Sequence, residues 1–147
     1  MAKATAQDVV NLGFNSKQFE IDSNATLIEA DGFVDSILQA FGSVVSDAVG
    51  ASFYAAATGA DLIHITEAEK YLTAAELLRR LPNFEQAKMS KSRSTESVED
   101  ENRRILERAK SADNTAATYL MRLGVDVENA GGLAVGFTES DHFRASA

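Results

Sequence analysis

A zinc site needs three or four His, Cys or carboxylate ligands within reach of one another. This chain offers two histidines, His64 and His142, and no cysteine. Neither histidine has a second His or Cys at ligand spacing. His64 stands between Ile63 and Ile65, the setting of a core or helix-start histidine, and His142 stands beside Asp141 close to Ala147, a poor place to preorganise catalysis. The serines lack a Gly-x-Ser-x-Gly elbow. The glycines of "GGLAVG" (131–136) have neither the spacing nor the strand-to-helix setting of a dinucleotide loop, and no Walker sequence occurs. The acidic run "ESVEDEN" (96–102) reads as the start of a helix, where negative charge complements the dipole. With no thiol for nucleophilic or redox chemistry, the residues predict no enzyme, no metal and no cofactor.

Charge points instead to interactions. The 147 residues carry 14 Lys+Arg against 22 Asp+Glu, a net charge of −8. A free-standing duplex binder draws its affinity from neutralising phosphates, so this balance argues against tight DNA binding. The basic residues that do cluster are Arg79, Arg80, Lys88, Lys91 and Arg93. Their setting lacks interleaved aromatics apart from Phe84 and shows no helix-turn-helix punctuation. Such a basic stretch fits an acidic neighbour, and the first 60 residues, with two Lys against seven acids, are acidic enough to serve if copies meet head to tail. Phe137, Phe143 and Arg144 are the other candidate contacts, because aromatics are odd choices for a solvated tail.

The elements that would position these residues are mainly helical. Length fits one domain, and a single proline, Pro82, leaves room for long helices. Thr5 to Asp8 has the form of a capping box, with Gly13 as the stop of a short helix. Phe14, Phe19 and Ile21 predict a loop packed on the core. Apolar residues from Leu27 to Ala48 recur at steps of three and four, predicting a helix over Asn24–Val49 with an interruption near Gly42. Phe53 and Tyr54 are expected to be buried, and Thr58-Gly59 to turn. Thr66 with Glu69 reads as a second capping box, starting a helix whose stripe is Ala68, Tyr71, Leu72, Ala75, Leu78 and Leu81 and which Pro82 closes. Residues 83–95 read as a polar loop or a frayed extension. A last long helix is expected from Ser94 or Thr95, with Val98, Ile105, Ala109, Ala112, Ala116, Tyr119, Leu120 and Leu123 as its stripe and Gly124 as its stop. The segment 125–147 reads as an extended C-terminal arm, ordered by a partner or neighbouring subunit. The fold expected is a small antiparallel helical bundle over 1–124. The start "MAKATAQDVV" lacks the apolar core of a signal peptide, and no run approaches the length that crosses a bilayer; both fit a cytosolic, soluble chain.

The order of parts resembles a known family. "TAQDVVNLGF", then the apolar helix "ATLIEADGFVDSILQAFG", then "YLTAAELLRR" (71–80) are together similar to the small helical head–tail connector, or adaptor, proteins of tailed bacteriophages. The likeness covers Thr5 to Leu123, and Tyr71–Arg80 is its most characteristic part. The resemblance implies a structural virion protein that forms a homo-oligomeric ring, commonly of twelve subunits, under the portal protein. Such a ring extends the DNA channel and offers the attachment surface for tail or neck proteins, with DNA only a non-specific passenger and no membrane partner. It implies assembly in the host cytoplasm and a final place in the virion neck. The long 83–95 region and the glycine-containing tail depart from the more compact members. A small helical DNA-associated or regulatory protein, binding through Arg79, Arg80 and Lys88 to Arg93, is the second reading.

Overall fold

The computed structural model describes residues 1–89 and 95–127, and it is mainly helical, with no strand among the described residues. Its elements are α1 (Ala6–Val10), a 3-10 turn (Ser16–Phe19), α2 (Asn24–Leu27), α3 (Phe33–Val49), α4 (Ala51–Ala56), α5 (Gly59–Met89) and α6 (Thr95–Arg122). The expected small helical bundle is what forms. None of the described helices is long and apolar enough to cross a membrane.

Helix α5 is the axis of the bundle. It packs against α1, the 3-10 turn and α3 on one side and against α6 on the other. Arg79 meets Asp113, and His64 meets Tyr119, so α5 and α6 run antiparallel. Phe33 lies beside Arg80, while Ile37 shares a groove with Glu76, so α3 and α5 are antiparallel as well. A helix enclosed on two sides needs more than one apolar stripe. Leu77, Ala74 and Thr73 are therefore buried in addition to the expected Ala68, Leu72, Ala75, Leu78 and Leu81, while Tyr71 is half-buried. Val34, Ile37, Leu38, Phe41 and Val45 cover α5 from α3, and Ile105, Ala109, Ala112, Ala116 and Leu120 cover it from α6. Each large apolar side chain so buried contributes about 2 kcal/mol. The row of alanines on α6 lets the two long backbones approach.

The expected ends of the last helix and of α1 are present. Thr5 Oγ1 accepts the Asp8 N–H while Asp8 accepts the Thr5 N–H, the reciprocal box that starts α1. Gly124 adopts φ +85°, and its N–H donates to the Met121 carbonyl while Val125 N–H donates to that of Leu120. This is the Schellman pattern, which a left-handed residue after the helix makes possible. Val125 and Val127 pack back onto the core. Phe14 and Phe19 are buried and Ile21, partly buried, packs against the core, so the loop is packed as expected, around a 3-10 turn.

Four expectations are corrected. The predicted 24–49 helix is two helices, and the break falls between Leu27 and Phe33, where Asp31 takes φ +59°. Gly42 is helical and buried, and its role is close approach: a Cβ there would lie 2.9 Å from the Cα of Ala2. Phe53 is 40% exposed, whereas Tyr54 is buried. Thr66 caps nothing, because α5 starts at Gly59; its hydroxyl donates back to the Leu62 carbonyl. Pro82 does not end α5, which continues to Met89. The buried Leu77, Leu78 and Leu81 hold the helix through the proline, so packing overrides the local preference. Residues 83–89 are accordingly helical, the second of the two expectations for this stretch.

Candidate functional site

The sequence directs attention to the C-terminal half of α5. Arg79 and Arg80 follow one another there, and successive helical positions diverge by about 100°, so they serve different neighbours. Arg79 donates to Asp113 on α6, with the Asp113 side chain 5% exposed and the Arg79 side chain 22%. Burial pushes the Arg79 pKa down, and the nearby Glu76 carboxylate pushes it back up. Arginine stays charged through such shifts, so this is a charge-assisted clamp between α5 and α6.

Arg80 turns toward α3. Its Nε donates to Glu76 Oε2 at 2.9 Å, and its guanidinium carbon lies 5.8 Å from the centre of the Phe33 ring, a cation–π arrangement. It borders an open groove of about 520 Å³ whose apolar floor is Phe33, Ile37 and Phe41. Glu76 lines the same groove, and its Oε1 is buried without a hydrogen-bond partner. The groove suits an apolar side chain flanked by a polar group.

Of the other predicted contacts, Lys88 falls on α5, while Lys91, Arg93, Phe137, Phe143 and Arg144 lie outside the described residues. Arg79 and Arg80 are thus not one basic patch; each is committed to a carboxylate of the same chain. Among the described residues no group of three or more His, Cys, Asp or Glu is placed to hold a metal. His64 is half-buried, its ring 5.9 Å from that of Tyr119, which in turn stacks on Tyr71 at 6.4 Å. It is a packing residue of the α5–α6 seam.

The most highly organised polar site centres on a residue whose spacing predicts a helix cap. Glu69, expected to cap a helix, is 0% exposed in the middle of one. Its Oε1 accepts the backbone N–H groups of Lys3 (2.8 Å) and Ala4 (2.9 Å), and its Oε2 is in hydrogen-bond contact with the Tyr54 hydroxyl. The same hydroxyl reaches the Met1 carbonyl at 3.2 Å, and Ala2 N–H donates to Gln39 Oε1 at 2.8 Å. Together they pin a strap, residues 1–4, across α3, α4 and α5. Burial raises the Glu69 pKa above its ordinary value of 4.5, against the opposing effect of its hydrogen bonds and of Lys3. Burial and the adjoining carboxyl also hold the Tyr54 phenol well above its usual range. One signal for Glu69 was present: it falls at helical spacing with Ile65 and Leu72, on the apolar side. Asp113, beside Ala112 and one turn from Ala109 and Ala116, carried the same sign. No family model, curated protein or solved structure matches this chain.

Proposed function

We propose that the chain is a structural virion protein, a head-to-tail connector or adaptor that assembles as a ring beneath a portal, extends the DNA channel and carries the tail or neck attachment surface. The observation that carries this reading is where its most characteristic block falls. Tyr71–Arg80 is the middle of the central helix, with Leu72, Ala74, Ala75, Leu77 and Leu78 buried and Arg79 and Arg80 reaching α6 and α3. The residues that carry the resemblance are therefore those that specify the three-helix packing. The net charge of −8 adds a physical fit, because an acidic wall repels phosphate and lets a duplex slide. The groove beside Arg80 supplies an apolar contact for a neighbouring subunit or the portal. The DNA-binding reading loses ground, since Arg79 and Arg80 already neutralise Asp113 and Glu76.

Co-expression with the portal protein of the same virus tests the proposal. The expected result is a complex containing multiple copies of this chain, ring-shaped by electron microscopy and of matching native mass. Two soluble proteins that never associate would end it.

A further inference from the structure

A tyrosine hydroxyl carries one proton, yet the Tyr54 oxygen contacts two acceptors, Glu69 Oε2 and the Met1 carbonyl. It can donate to only one of them. If Glu69 were ionised, Tyr54 would donate to the carboxylate and the Met1 carbonyl would lose its donor. If Glu69 holds a proton, every contact is satisfied. Its Oε2–H donates to the Tyr54 oxygen, the Tyr54 O–H donates to Met1, and the unprotonated Oε1 accepts both Lys3 and Ala4 N–H.

We propose that Glu69 is kept as a neutral acid and forms a pH-sensitive latch on the strap of residues 1–4, closed while the proton is present and loosened when it leaves. The surroundings agree. Tyr54 on α4 and Lys3 in the strap are the titratable groups facing Glu69, and the Lys3 ammonium lies 5.1 Å from the Tyr54 ring centre. On α5 the neighbouring Thr73 hydroxyl donates to the Glu69 backbone carbonyl. From α3 the strap meets the uncharged Gln39 and Gly42, with Asp35 one step further away, accepting from the Gln39 amide at 3.1 Å. The hydrogen bonds from Tyr54 and from the Ala4 and Lys3 amides favour the carboxylate, as does the Lys3 ammonium from a part-exposed position, but burial outweighs them. When the strap lifts, Glu69 gains water and its pKa falls back toward 4.5. The closed state therefore binds the proton more tightly. Its advantage is complete below the ordinary value and is lost as pH rises through the raised one.

The test compares wild type with Glu69→Gln and Glu69→Ala. The glutamine keeps an acceptor for both amides and offers an N–H to Tyr54, so it imitates the protonated acid at every pH. Expected are a carboxyl carbon of Glu69 that titrates above 4.5 by NMR and Lys3 and Ala4 amide protection that drops as pH rises through that raised value. Glu69→Gln should abolish that pH dependence and lie within a few degrees of wild-type Tm at low pH, with Glu69→Ala lower by about 5–10 °C. Titration of Glu69 at the ordinary carboxylate value overturns the proposal, and this reading needs no variant to fold. So does a glutamine variant as damaged as the alanine one, or one whose strap protection still falls with pH.

Discussion

Arg79 and Asp113 form an interior ion pair whose worth depends on how it is broken. Asp113→Ala leaves the guanidinium half-solvated beside Glu76 and should cost about 2 kcal/mol. Replacing both residues with leucine should cost less than the sum of the single changes, and a double-mutant cycle by urea denaturation measures that coupling. Gly42 makes a sharper case. Alanine normally gains about 1 kcal/mol over glycine inside a helix, but here its Cβ would meet both Cα and Cβ of Ala2 at 2.9 Å. Steric displacement of the strap should dominate, so Gly42→Ala is expected to destabilise by about 1–2 kcal/mol net. Its signature is loss of amide protection at Lys3 and Ala4, which a helix-propensity effect would not produce.

At the scale of elements, two threonines with the same sequence pattern have opposite roles. Thr5 starts α1, so Thr5→Ala should cost about 1 kcal/mol. Thr66 lies more than one turn inside α5 and bonds back to Leu62, so Thr66→Ala should be close to neutral. Equal losses in thermal denaturation would contradict the placement of the α5 start. Pro82 is the other element-level test. It withholds an N–H from the helix ladder at a position that packing keeps helical, so Pro82→Ala should stabilise, by about 1–3 kcal/mol. A proline that truly ended the helix would give no such gain.

For the whole molecule, charge decides the partner. With −8 overall and Arg79 and Arg80 engaged internally, the isolated chain should bind duplex DNA more weakly than about 100 μM at physiological salt. Fluorescence anisotropy titration checks this, and tight, steeply salt-dependent binding would revive the regulatory reading.

Much of this fold was legible in the sequence. The α1 box, the α3 and α6 stripes and the Gly124 stop depend on neighbours within a few residues, and local hydrogen bonds and helical periodicity write them directly. The misreadings share one cause. Glu69, Pro82, Gly42 and Arg79 each suggest a local role in the sequence, whereas their surroundings come from far along the chain; Arg80 keeps its local partner, Glu76. Glu69 faces Lys3, Ala4 and Tyr54, Gly42 faces Ala2, and Arg79 faces Asp113. By itself, then, the sequence determined a helical, acidic chain with a central amphipathic block and no catalytic signature. The tertiary structure alone decided that α5 is enclosed from two sides, that its proline is carried through, and that a glutamate inside it holds the strap. Burial and long-range contact outweigh local propensity by more than the kilocalorie or so that a cap or a turn contributes.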